Sequence, residues 1–188
     1  MVEKPSRPLR APCRRRSAGR PGEAGHGGSG EGGTDDRRYP ERPVVGIGVV
    51  LWREGKVALI RRGKPPRAGQ WSLPGGAQKL GETVLAAAVR EVREETGLEL
   101  VEPRIVEVVD LLERDEAGRV RYHYTLIEVT GRARGGEGEA GGDAAALAWF
   151  DPEEVAAMPL WEETKRVVRK AAEMIGEIGP PSGAAGRG

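Results

Sequence analysis

Hydrophobic and polar positions divide the chain into an unpatterned N-terminal stretch, a patterned middle and a short polar tail. Residues 1–42 consist mainly of Gly, Pro, Arg, Ser and Glu and hold almost no large apolar side chains. Such a segment cannot bury enough apolar surface to offset the conformational entropy that it loses on ordering. We therefore predict a disordered arm over 1–42, one folded domain over 43–178 and a disordered tail over 179–188.

Short apolar runs in the middle of the chain predict β-strands. The β-branched run Val44–Trp52 indicates a buried strand, Arg53–Lys56 a turn, and Val57–Arg62 the returning strand of a hairpin. Further strands are predicted at Trp71–Gly76, Arg104–Arg114, Val120–Gly131 and Ala146–Phe150. Strands mixed with a few helices are typical of an α/β sandwich around a mixed sheet.

Three helices are predicted from their periodicity and their end signals. The strongest spans Glu82–Thr96, and Gly97 follows it at the position of a C-terminal cap. A short helix opens at Pro152, and an amphipathic helix spans Trp161–Gly176. Within the first helix, a spacing of three and four residues predicts a buried face made of Leu85, Ala88, Val89 and Val92.

The first helix also carries three acidic residues on a shared face. Glu91, Glu94 and Glu95 stand at i, i+3 and i+4, so their carboxylates repel one another. A bound divalent cation removes this conflict, and hard carboxylate oxygens suit Mg²⁺ or Mn²⁺. On these three residues alone, a solvated acidic surface is the commoner explanation of the pattern.

The surrounding spacing favours the metal site. Gly76 is followed after five residues by Glu82, and after seven more by the run REVREETGL from Arg90 to Leu98. This window of 23 residues resembles the Nudix box, with all nine signature positions matched. The matched positions are Gly76, Glu82, Arg90, Glu91, Val92, Glu94, Glu95, Gly97 and Leu98. The resemblance covers roughly residues 43–178 and implies the Nudix α/β/α sandwich.

The resemblance also implies roles for the matched residues. Gly76 would bring a backbone carbonyl to the metal, which Glu91, Glu94 and Glu95 would bind. Arg90 would orient these glutamates, and Val92 and Leu98 would belong to the core. Glu82 would pair with Arg90 or with the helix start, although an acid at a helix N-terminus can also act through the dipole alone.

The implied activity is Mg²⁺-dependent hydrolysis of a nucleoside diphosphate linked to another group. The strand RYHYTLIEV and the Gly/Glu-rich loop that follows it look most like ADP-ribose and sugar-nucleotide pyrophosphatases. One alternative is a pyrophosphohydrolase that clears modified nucleoside triphosphates. Another is a non-catalytic nucleotide sensor, although the intact glutamates argue against it.

Several residues outside the box are weaker candidates. The general base would be a box glutamate or an acid of the loop Gly135–Asp143, which offers Glu137, Glu139 and Asp143. Lys64 and Arg67 could contact substrate phosphate, and Trp71 could stack on a base, although a core tryptophan is commoner. Strand alternation places Tyr122, Tyr124 and Leu126 on one face, where a tyrosine could stack on a nucleobase, and His123 on the other face as a structural residue.

Charge and composition narrow the partners and the location. The formal net charge is only +1, but residues 1–42 hold ten Lys or Arg against six Asp or Glu. This basic arm, with Arg14–Arg16, is more simply solvated than bound to nucleic acid. The single Cys13 excludes an intramolecular disulfide, and the chain has neither a membrane-length apolar run nor a signal-peptide core. We predict a cytoplasmic protein that acts on a nucleotide, with a homodimer as a compatible assembly and no membrane partner.

Overall fold

The computed structural model describes residues 37–64 and 67–177. Within these ranges, seven strands and three helices follow one another. They are β1 (Val44–Arg53), β2 (Lys56–Arg62), β3 (Trp71–Ser72), β4 (Gly75–Ala77), α1 (Val84–Thr96), β5 (Glu99–Arg114), β6 (Val120–Arg134), β7 (Ala144–Phe150), α2 (Pro152–Ala157) and α3 (Glu162–Glu177). The predicted C-terminal tail, Cys13, Arg14–Arg16 and most of the predicted arm lie outside the described residues.

The strands form one mixed sheet in the order β3-β2-β1-β6-β5, with β4 beside β1 and β7 beside β2. The central pair β1 and β6 is parallel, and Gly48 of β1 stands beside Glu128 of β6. The other pairs are antiparallel, including β4 with β1, where Gly75 stands beside Gly48. The predicted mixed sheet is therefore confirmed.

A separate core covers each face of this sheet. On one face, Val49 and Leu51 of β1 pack with Ala88 and Val92 of α1. On the opposite face, Val50 of β1 packs in a second cluster that includes Val167, Val168 and Ala171 of α3. Alternation of side chains along β1 explains why one strand serves both cores. The predicted α/β/α sandwich is confirmed.

Helix α1 begins two residues later than predicted. The Thr83 hydroxyl accepts a hydrogen bond from the Ala86 backbone N–H at 3.2 Å, which makes Thr83 the N-cap. Glu82 therefore lies in the preceding turn, where its own backbone N–H donates to the Lys79 carbonyl. The predicted C-terminal cap is confirmed, because Gly97 adopts a left-handed conformation with φ 66°.

The predicted buried face of α1 is partly wrong. Leu85 and Val89 are 37% and 39% exposed, whereas Ala88 and Val92 are buried as predicted. The remaining buried positions are Ala87, Glu91, Glu95 and Thr96. The buried face is thus rotated towards the glutamates, because β4 and the loop before β7 cover that side of the helix.

Other element boundaries also differ from the prediction. The run predicted as one strand over Trp71–Gly76 forms two short strands, and between them the Pro74 carbonyl accepts a hydrogen bond from the Val49 N–H. Strand β5 begins at Glu99 rather than at Arg104, and its register shifts between Val101 and Arg104.

Residues 37–42, which the sequence assigns to the arm, are described by the structure. The Tyr39 backbone N–H donates to the Arg121 carbonyl at 2.8 Å, and its hydroxyl donates to Asp115 at 3.2 Å. These bonds attach the last residues before the domain to strand β6. In the part of the chain that the structure describes, no helix is long and apolar enough to cross a membrane.

Candidate active site

Arg90 is the centre of an ion-pair network at the start of α1. Its guanidinium donates to both carboxylate oxygens of Glu82, at 2.6 and 3.0 Å, and to the Ala77 carbonyl at 3.2 Å. It also donates to Glu91 at 2.6 Å and to Glu94 at 3.2 Å. One planar side chain thereby fixes two of the three glutamates relative to the β4 turn.

Glu82 anchors this arginine. The Arg90 hydrogen bonds, followed by one from the Lys79 backbone N–H, lower the pKa of Glu82 to about 2. Glu82 is therefore ionised at any physiological pH. Of the two roles open to this residue, the geometry agrees with pairing to Arg90.

The three glutamates of α1 occupy different environments. Glu91 and Glu95 are buried, with 8% and 6% of their surface exposed, whereas the Glu94 side chain is 49% exposed. Glu95 accepts a hydrogen bond from the Gly75 backbone N–H at 2.8 Å. The pKa of Glu95 is raised to about 7, mainly by burial and further by the negative charges of Glu91 and Asp143. Excess negative charge is therefore concentrated where α1 meets β4.

Gly76 makes room for one of these carboxylates. A Cβ atom at this position would lie 2.5–2.8 Å from the carboxylate atoms of Glu91, which is closer than real Cβ contacts. Gly76 also stands beside Ile47 in the β1–β4 pair, so its backbone position is set by the sheet. The turn is thus held against the acidic helix.

The chemistry of this donor set fits a divalent cation. Glu91, Glu94 and Glu95 offer hard carboxylate oxygens, and two of these residues are buried. Together they carry more negative charge than the single positive charge of Arg90 compensates. In residues 37–64 and 67–177, however, no three acidic, histidine or cysteine side chains already converge on one point. The carboxylates instead accept hydrogen bonds from Arg90 and Gly75, while Lys79 lies 3.5 Å from Glu94. Binding a cation would require them to exchange these partners.

The Gly-rich loop before β7 is tied to the end of α1. The Gly141 N–H donates to the Glu95 carbonyl at 3.1 Å, and the Glu139 N–H donates to the Thr96 carbonyl at 3.0 Å. The Glu139 side chain is exposed. Asp143 pairs with Lys64 at 2.6 Å and acts electrostatically on Glu95. Among the predicted loop acids, Asp143 therefore influences the site through its charge, which acts on Glu95.

A cleft of about 240 Å³ opens on the α3 face of the sheet and extends to the β4 turn. Its floor is formed by Gly46 and Gly48 of β1 and by Leu126 and Glu128 of β6. Apolar, aromatic and hydroxyl groups around it include Leu73, Leu111, Tyr122, Tyr124, Trp161 and Thr164. Arg37, Arg62 and Arg67 add positive charge. This mixture of aromatic surface and cations is suited to an organic anion.

The structure separates the weaker candidates. Arg67, Tyr122 and Tyr124 line the cleft. Trp71 packs against the α3-side core and makes an edge contact with Phe150, at 5.3 Å between ring centroids. His123 belongs to the opposite side of β6 from Tyr122 and Tyr124, as the alternation predicts.

Sequence reasoning missed Glu128, which is buried on the floor of the cleft. The pKa of Glu128 is raised to about 7, mainly by burial and further by the negative charge of Glu107. A signal was present, because Glu128 continues the alternation of Tyr122, Tyr124 and Leu126 and is an acid within an apolar strand.

The fold and the site define an α/β/α protein with a carboxylate-bearing helix beside a cleft suited to an organic anion. Comparison with known proteins gives the family: residues 42–171 match the NUDIX domain, and the chain belongs to the Nudix family. The resemblance to that family in the sequence is thereby confirmed.

Individual relatives agree with this assignment. An ADP-ribose pyrophosphatase of Methanocaldococcus jannaschii is 37% identical over 109 residues, which cover 58% of this chain and 62% of that protein. A CTP pyrophosphohydrolase of Escherichia coli is 30% identical over 119 residues, or 61% of this chain and 80% of that protein. The crystal structure of a MutT NUDIX hydrolase from Burkholderia pseudomallei has a TM-score of 0.60 and 32% identity, covering 69% of this chain and 98% of that one.

Proposed function

We propose that this protein is a Mg²⁺-dependent pyrophosphohydrolase whose substrate is a nucleoside diphosphate linked to another group. The observation that carries the proposal is the contact between the acidic face of α1 and the β4 turn, Gly75–Ala77, which also lines the cleft. A substrate in the cleft would therefore have its anionic part next to the metal-binding carboxylates.

Gly76, Glu91, Glu94 and Glu95 are the residues that would hold the metal, with Mg²⁺ as the first choice and Mn²⁺ as a substitute. When bound, the metal neutralises phosphate charge and makes a water molecule more acidic. Arg90 positions Glu91 and Glu94 through the hydrogen bonds described above. Arg90 thereby prevents the carboxylates from turning away from one another.

The proton of the attacking water requires an acceptor within the same region. A box glutamate, Glu137, Glu139 and Asp143 remain the candidates, and the electrostatic effect on Glu95 favours Asp143 among the loop acids. Replacing each loop acid by its amide should separate them. The variant that lacks the general base should lose on the order of a hundredfold or more in kcat.

The cleft favours a nucleoside attached to the diphosphate. Arg67 and Arg62 line the cleft and would contact phosphate oxygens of a bound substrate, and Arg62 already acts electrostatically on Glu95. Tyr122 and Tyr124 offer aromatic surface for a base. Lys64 is held by Asp143 and would contribute only after that ion pair opens, whereas Trp71 supports the adjacent core.

ADP-ribose is the proposed first substrate, because an ADP-ribose pyrophosphatase is among the relatives. The alternative is a nucleoside triphosphate, which the similarity to a CTP pyrophosphohydrolase favours. A cytoplasmic location, a homodimer and the absence of a nucleic-acid partner remain predictions from the sequence.

A substrate panel with Mg²⁺ tests the proposal. ADP-ribose should yield AMP and ribose 5-phosphate, whereas a triphosphate such as CTP should yield CMP and pyrophosphate. The Glu94→Gln variant should be inactive towards whichever substrate the wild type hydrolyses. Tight nucleotide binding without any hydrolysis would instead indicate a sensor and contradict the proposal.

A further inference from the structure

The buried carboxylate of Glu128 is an unusual group to find on the floor of a cleft. Glu128 lies in β6 directly beside Gly48 of β1, and any Cβ atom at Gly48 would overlap its carboxylate. The residue is only 6% exposed. Because glycine has no side chain, Gly48 leaves the space in which the Glu128 carboxylate lies.

One oxygen of the Glu128 carboxylate, Oε2, is fully buried and has no hydrogen-bond donor among the residues that the structure describes. The neighbouring acid on β5, Glu107, accepts hydrogen bonds from Arg166 at 2.7 Å and Lys170 at 3.2 Å through its Oε2 atom, although its Oε1 atom is also buried and unpaired. Arg166 and Lys170 of α3 are therefore paired with Glu107 and not with Glu128. A buried polar group without a partner is costly, which indicates that another molecule supplies the donor.

The position of Glu128 indicates which part of a substrate would reach it. Gly48 lies between Glu128 and Gly75, so two inter-strand spacings, roughly 10 Å, separate Glu128 from the β4 turn. A phosphate next to a buried carboxylate would be repelled, so the group at Glu128 should carry no negative charge and should offer N–H or O–H donors. The base of a nucleoside whose phosphates lie at β4 meets this requirement.

We propose that Glu128 is a specificity-determining residue that accepts a hydrogen bond from the exocyclic amino group of the substrate's base. The protein then selects adenine or cytosine over their deaminated counterparts, hypoxanthine and uracil, which present a carbonyl oxygen at that position. Leu126 and Tyr124, on the same face of β6, provide apolar surface for the ring. The inference rests on the proposed function, because it assumes that a nucleotide occupies the cleft.

The test measures binding of reaction products, so it requires neither metal nor turnover. Dissociation constants of AMP and IMP are determined by calorimetry in EDTA at pH 8, where Glu128, whose pKa is raised to about 7, is mainly ionised and can only accept hydrogen bonds. The wild type should bind AMP at least about tenfold more tightly, since IMP would place an acceptor against the carboxylate. In Glu128→Gln the ratio should fall to within about threefold, because an amide carries one donor and one acceptor and can pair with either base.

Glu116→Gln is the matched control. It makes the same substitution at an exposed carboxylate that does not line the cleft, and should keep the wild-type ratio. The measurement on the wild-type protein needs no variant and is informative even if Glu128→Gln fails to fold. A third ligand, 2′,3′-dideoxy-AMP, tests whether ribose hydroxyls are the donors that Glu128 reads.

Several results would overturn the inference. They are equal affinity of the wild type for AMP and IMP, binding of neither ligand at millimolar concentration, and a base preference that survives Glu128→Gln. A loss of affinity for dideoxy-AMP that disappears in Glu128→Gln would reassign the residue to the sugar. If AMP is preferred but no nucleotide is hydrolysed with Mg²⁺, the proposed function fails while base recognition stands.

Discussion

Ionisation of Glu128 should make the stability of this protein fall as the pH rises from 5 to 8. Its pKa is raised from an ordinary 4.5 to about 7 by burial and by Glu107. Each pKa unit corresponds to about 1.4 kcal/mol, so ionising Glu128 costs the folded state about 3 kcal/mol. Below pH 4.5 the carboxyl of Glu128 is mainly protonated in both the folded and the unfolded states, so its ionisation does not lower the free energy of unfolding. Between pH 4.5 and 7 the unfolded state ionises first, so stability decreases until the folded state also ionises.

The assay is thermal unfolding of the wild type and Glu128→Gln at pH 5 and pH 8, in EDTA and without nucleotide. The glutamine does not titrate, so the variant should gain about 2–3 kcal/mol on the wild type between these two pH values. For a domain of this size, this is a relative rise in melting temperature of roughly 5–10 °C. Glu107, whose charge acts on Glu128, and its partners Arg166 and Lys170 are the same in both proteins.

The exposed Glu116→Gln is the control, since it removes a carboxyl from the surface and should follow the wild type at both pH values. If the curves of the wild type and Glu128→Gln run parallel from pH 5 to pH 8, Glu128 does not titrate in this range. In that case the carboxyl is either solvated or paired, and the reasoning from its burial is refuted.

Three further predictions concern the acidic helix. Removing metal with EDTA should abolish hydrolysis, and adding Mg²⁺ should restore it; full activity in the metal-free protein would exclude the metal site. Glu94→Gln should lower kcat by about a hundredfold or more, yet leave the melting temperature in EDTA unchanged, because the side chain is half exposed. Unfolding of this variant would show that Glu94 is structural. Gly76→Ala should lower activity at least about tenfold, as measured by initial rates, because the new Cβ would displace the Glu91 carboxylate from its place beside Arg90; wild-type rates would show that Glu91 can move without consequence.

The sequence predicts the fold and the acidic helix because both depend on local patterns. Alternation in β1 and β6 and the spacing of Glu91, Glu94 and Glu95 are visible without tertiary contacts. The end of α1 at Gly97 is predicted for the same reason, since the cap is a local conformation.

Burial around the site depends instead on tertiary packing. Leu85 and Val89 are apolar but exposed, because the elements that cover α1 lie on its glutamate side. Glu128 is acidic but buried, because Gly48 in a distant part of the chain leaves room for it. Hydrophobicity predicts neither case, since each reflects the surface that another segment presents. The sequence likewise does not distinguish among the loop acids, because the electrostatic effect of Asp143 on Glu95 depends on how the loop folds back onto α1.

The acidic helix and the cleft floor lie on opposite faces of the sheet, so the two can be redesigned separately. The carboxylates stand on α1 beside the sheet edge, whereas the cleft floor lies on the face that α3 covers. Under the proposed function, substitutions at Leu126 or Tyr124 would change which nucleotide binds without disturbing the residues around Arg90. The β4 turn belongs to both halves, so Gly75 and Gly76 should tolerate little variation when the scaffold is diversified in a library.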